Sequence, residues 1–281
     1  MGCNKLVKDR KNKRMKDIEE EKLLIIPFPD FNDVFNIDNG KEKFIFLPLT
    51  TIKFQEHTEF QNRSFHFISI WDTGTYEETY FNEYRKEIRC IKFKIENNKY
   101  SYLGELNFPF INLLPRAYDI IEYHFQENIE YYLEPKSYRL FSIENKIFSK
   151  GQELIFGSVE GFDKPNAAYY FERIVQYLYT KKKYELFDKV NSNFVYSEIF
   201  IGATTTKEEV ISEFNYEGKS KNEIINNLLK MPNWLQKPEK IFENLTFIGS
   251  VSEGDFTNGS AEIYLFWDKE NNEVYQFFQW T

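Results

Sequence analysis

The chain is poor in the residues that usually announce chemistry. Two cysteines, Cys3 and Cys90, in 281 residues make no disulfide framework and leave no Cys-x-x-Cys pair for zinc. Cys90 alternates with apolar neighbours and reads as a small core residue. Only three histidines occur, His57, His66 and His124, with no pair at metal-ligand spacing. The 12 glycines are dispersed: no Gly-x-Gly-x-x-Gly, no Walker loop and no Gly-x-Ser-x-Gly elbow. A phosphate cradle and a hydrolase nucleophile are therefore without a signature, and no cofactor is expected. No apolar run approaches the roughly 18 residues of a membrane span. Basic charge is also scarce: 36 Lys and Arg against 44 Asp and Glu give −8. Eight basic and five acidic residues leave the first 22 positions at +3, so the remainder carries −11. An acidic body excludes an ordinary nucleic-acid footprint and suits a basic protein partner.

What the chain has is aromatic: 29 Phe, 19 Tyr and 4 Trp. Such residues favour half-buried pleated surface. The clearest structure is at the end, where Asn244 to Ser252, Glu262 to Trp267 and Val274 to Trp280 read as three antiparallel strands separated by polar turns. Its middle strand is apolar on both faces, with Ile263, Leu265 and Trp267 on one and Tyr264 and Phe266 on the other. This predicts a central strand packed under helices.

Earlier, Leu23 to Ile26 before Pro27 reads as an edge strand. Short strands follow at 44–47 and 65–71, then a hairpin from 87 to 108 around Asn97-Asn98. Helical spacing covers 116–133 and 167–184. A second hairpin is expected around Glu144-Asn145, with a strand at 154–159 and another at 194–201. Capping boxes at Thr206/Glu209 and Ser220/Glu223 predict helices at 207–214 and 221–230. Strand–Glu-Asn-Asn–strand occurs at 95–100 and again at 268–274, which is either a duplication of meanders or chance in a chain rich in Asn and Glu. The expected fold is α+β: antiparallel meanders, arranged as two related sheets, covered by a few helices. It divides into a charged tail (1–22), a β-rich half (23–160) and a half of helices followed by the meander (161–281), the last two allowing one continuous domain.

Pro232-Asn-Trp-Leu-Gln236, Leu245-Thr-Phe-Ile-Gly249, Ile263-Tyr-Leu-Phe-Trp267 and Val274-Tyr-Gln-Phe-Phe278 resemble the closing part of the YwqG-like family, over about 50 residues. The resemblance implies a β-rich bacterial cytoplasmic protein without established activity, of a type linked to immunity against secreted toxins. It implies no site.

The leading expectation is a non-enzymatic protein-binding protein, a toxin-neutralising immunity protein whose partner is a basic toxin domain. Trp71, Asp72, Trp234, Glu253 and Asp255 are its candidate interface residues, because turns there present aromatic and acidic groups together. The alternative is a small-ligand-binding protein or hydrolase-type enzyme, with His66 and a carboxylate in a pocket between sheets. A second alternative is a surface protein lipid-anchored through Cys3.

Overall fold

The computed structural model describes residues 23–36, 40–55, 59–60, 62–71, 82–83, 89–104, 106, 110–133, 145–191, 219–221, 223–238 and 244–280. The strands are β1 (Leu23–Pro27), β2 (Phe46–Phe54), β3 (Ser64–Ile70), β4 (Asn82–Glu83), β5 (Arg89–Glu96), β6 (Lys99–Tyr102), β7 (Leu245–Ser252), β8 (Ala261–Asp268) and β9 (Glu273–Trp280). The helices are α1 (Phe31–Val34), α2 (Leu114–Glu127), α3 (Ile129–Tyr132), α4 (Lys146–Ser158) and α5 (Lys164–Asn191). The fold is α+β with two antiparallel sheets, one ordered β1-β2-β3 and the other β4-β5-β9-β8-β7, with β6 also pairing β5.

The β5–β6 turn follows from its two asparagines. Asn97 and Asn98 hold φ of 54° and 64°, as a tight hairpin needs and as asparagine tolerates. The meander forms as expected, but β9 also pairs β5, so one sheet draws on both halves of the chain. β2 runs through Pro48, beyond the expected end at Leu47. A register shift between Pro48 and Thr50 absorbs the missing donor.

The two sheets meet at the outer edge of β3, and side chains close that edge. Ser64 N donates to Asn98 Oδ1 (3.2 Å), His66 N to Tyr100 Oη (2.8 Å) and Ile68 N to Gln276 Oε1 (2.8 Å). Ile70 O accepts from Arg173 on α5 (2.9 Å). These are alternate residues, so three outward amides and one outward carbonyl of the strand find side chains where a neighbouring strand would otherwise lie. Rings fill the space between the sheets, Phe65 lying 5.6 Å from Trp267 and Phe93 5.2 Å from Tyr100.

α5 extends the expected 167–184 helix at both ends, and Asp163 Oδ1 receives Asn166 N at its start. Its stripe, including Phe171, Ile174 and Val175, is buried. Other expectations are corrected. Leu154 to Val159 is no strand but belongs to the end of α4, and Asn145 caps that helix, accepting from Ile147 N and Phe148 N. The expected helix at 221–230 is a run of turns. Its Ser220–Glu223 box does close locally, but the next backbone groups pair with the edge of β7, Asn226 with Ser250 and Leu229 with Ile248. Gly249 permits this approach, since a Cβ there would lie 3.3 Å from Asn226 O. The strand at 194–201 and the helix at 207–214 lie outside the described residues.

Both faces of β8 are covered, as expected, but by the other sheet and a strap where helices were expected. Ile263, Leu265 and Trp267 enter the main core, while Tyr264, Phe266, Phe247, Phe277 and Cys90 form a second cluster. An extended strap, residues 233–237, crosses that cluster in place of a helix. Tyr264 Oη donates to Asn233 O (3.0 Å) and accepts from Leu235 N (2.7 Å), and Gln279 binds Gln236 N and Lys237 O.

Candidate functional site

The five candidate interface residues do not converge. Trp71 is 0% exposed against Tyr170, with ring centroids 5.1 Å apart, and so anchors nothing at the surface. Glu253 is also 0% exposed. Its Oε1 meets Arg173 Nη2 at 2.5 Å and accepts from the Ser69 hydroxyl. Arg173 Nη2 also reaches Ser69 Oγ at 2.8 Å. This ion pair fastens the turn after β7 to α5 and β3. A Cβ on Gly259 would fall 1.9 Å from Glu253 Oε2, so the loop passes there only as glycine. Asp255 pairs with Lys219 (2.8 Å), while Trp234 lies partly exposed on Tyr264, 4.5 Å between centroids, as part of the strap. Asp72 lies outside the described residues.

A cleft of about 450 Å³ offers a better site. The register of β1–β2–β3 puts Leu24, Ile26, Thr51, Lys53, Ser64 and His66 on one sheet face. The loop after β1 and the end of α5 wall that face. Four carboxylates line the cleft, Asp30, Asp33, Glu185 and Asp188, against two lysines, Lys53 and Lys181. Lys181 bridges to Asp30 at 3.3 Å and Lys221 to Asp188 at 3.0 Å. Lys182 meets Glu185 at 2.9 Å, so the cleft is polar and lined by carboxylates, of which Asp33 alone takes part in no ion pair among the described residues. At its rim β1 leaves Leu24 and Ile26 exposed at 41% and 36%. Phe28 holds φ of 49°, unusual for an aromatic residue, and is fixed by Tyr177, Tyr184 and Phe256, all within 5.3 Å between centroids.

His66 forms part of the cleft floor, yet it is committed to the structure. Nε2 contacts Asn98 O at 2.8 Å and Nδ1 contacts Thr51 Oγ1 at 2.7 Å. A carbonyl only accepts, so Nε2 carries the proton and Nδ1 accepts from the threonine hydroxyl. Burial pushes the pKa down to about 4. A neutral ring with both nitrogens engaged orients neighbours and has no free lone pair for a substrate proton.

A second depression, about 680 Å³, lies between α2 and α4. Arg116, Asp119, Ile120, Tyr123, His124 and Glu127 form its α2 wall, and Ile147, Lys150 and Leu154 its α4 wall. Among the described residues His124 Nε2, buried over Gly151, has no hydrogen-bond partner, and burial lowers its pKa.

Among the described residues no cluster of three His, Cys, Asp or Glu side chains could hold a metal, and no helix is long and apolar enough to cross a membrane. The sequence nominated His66 with a carboxylate in a pocket between sheets, and the cleft does join them, but on one face of the β1–β2–β3 sheet, with walls from positions 26–33, 51–66 and 181–188. Compared with protein-family models, curated proteins and solved structures, the chain matches none of them.

Proposed function

We propose that the chain is a non-enzymatic protein-binding protein, with the cleft beside β1 as its recognition surface for a basic partner and toxin neutralisation as the role. The observation that carries this is the joining of a carboxylate-lined cleft to an exposed apolar edge strand. Apolar contact area and charge then serve one partner together, the charge steering encounter and the strand supplying contact. The saturated hydrogen bonds of His66 favour recognition over acid–base chemistry. The terminal resemblance to the YwqG-like family is compatible with the role.

The test is a pull-down from the producing cells with wild type and with Asp33→Arg/Glu185→Arg, followed by titration of the purified captured protein. We expect one stoichiometric basic protein, toxic when expressed alone, bound about tenfold or more weakly by the variant and weakened by salt. Absence of a stoichiometric partner overturns the proposal, as does a partner indifferent to the charge reversal.

A further inference from the structure

The α2–α4 groove is unfinished as a surface. Tyr123 is 68% exposed and Leu154 38%, although both line a largely apolar furrow.

The charges on α2 say what covers it. Arg116 stands in the first turn and Glu127 is the last helical residue. Each is at the unfavourable end of its own helix dipole, whose positive pole lies at the N-terminus. The two are also too far apart to pair within a chain, since eleven residues of helix span about 16 Å. Among the described residues Arg116, Asp119 and Glu127 take part in no ion pair.

An antiparallel copy of α2 reverses both disadvantages. Turning the helix by 180° about the middle of the 116–127 stripe sets residue 116 opposite 127 and 120 opposite 123. Arg116 then faces Glu127 of the copy, and Ile120 faces Tyr123, each contact occurring twice by symmetry. The pole of each helix that its own charge opposes comes beside the opposite pole of its neighbour. Asp119 falls opposite His124, whose ring is buried and neutral, so that contact contributes no ion pair.

We propose that a second copy of this chain docks on the α2–α4 groove, forming a twofold dimer through antiparallel α2 helices. The proposal is independent of the cleft and its partner, which lie on other elements.

Sedimentation velocity over a concentration series tests it, with circular dichroism to confirm that each variant is folded. Wild type is expected to dimerise. Arg116→Glu and Glu127→Arg each place like charges together twice, and each should raise the dimer dissociation constant about tenfold or more. The double variant Arg116→Glu/Glu127→Arg restores opposite charges and should dimerise again. Tyr123→Asp should be monomeric where wild type is dimeric. A wild-type monomer at all concentrations overturns the proposal, and so does a dimer unaffected by the single reversals or not restored by the double one. A small molecule or unrelated protein filling the groove of a monomeric wild type overturns it as well.

Discussion

Arg173 carries a full charge to a position that water does not reach, and Glu253 meets it there. Removing one member of such a pair strands the other without compensation. Arg173→Ala should therefore cost about 3–5 kcal/mol in urea denaturation. Replacing both, as Arg173→Met/Glu253→Leu, should recover most of the loss, because two desolvation costs disappear together. A double variant no more stable than the single one would contradict this account. His66 gives a second expectation. Its pKa is about 4 in the fold against 6.5 for a free histidine, so the unfolded chain binds the extra proton first as pH falls. The associated stability is present above about pH 6.5 and is lost as pH falls toward 4, roughly 3 kcal/mol in all. His124 shifts in the same direction. In denaturation curves from pH 7 to 4.5, His66→Gln should show a shallower acid loss than wild type, and parallel curves would count against it. The burial of Glu253 was not legible beforehand. Glu253 reads as turn charge because the guanidinium that buries it lies 80 positions away.

Gly151 shows how an element can reverse an ordinary rule. Glycine inside a helix is usually weaker than alanine by roughly 1 kcal/mol. Here α4 crosses α5 so closely that a Cβ would lie 2.2 Å from the Phe171 ring and 2.8 Å from His124 Nε2. Gly151→Ala should therefore destabilise, by about 1–3 kcal/mol, because a buried ring must move. A stabilised variant in thermal melts would show that the contact gives way freely. At the start of the same helix, Asn145 caps two backbone amides and donates to the Tyr131 hydroxyl. Asn145→Ala should cost about 1–2 kcal/mol. Elements with a strong period were legible: the Phe171-Ile174-Val175 stripe of α5 and the alternation of β7, β8 and β9. α4 was not, for two reasons. The Asx chemistry that caps a helix also makes turns, and Leu-Ile-Phe at 154–156 has the composition of a strand. At 221–230 the capping box formed without a helix because the edge of β7 offered the backbone better partners.

At the scale of the whole molecule the halves are interdependent. β5 comes from the first and β9 from the second, and they pair over five residues. Residues 161–281 expressed alone should lack cooperative unfolding, since β9 would expose the edge that β5 covers. A sharp melting transition from that fragment would sever the two halves. The walls of the cleft and groove, beyond the nominated His66, were illegible for the matching reason, as each assembles from segments distant in sequence. The seam along β3 adds a kinetic consequence. The amides of His66 and Ile68 are held by Tyr100 and Gln276, not by a strand. They can resist hydrogen–deuterium exchange only once the two sheets have come together. The amides that bond β3 to β2 carry no such condition. Exchange at alternate positions of one strand thus clocks two events, local pairing and the closing of the sheets, within a span of seven residues.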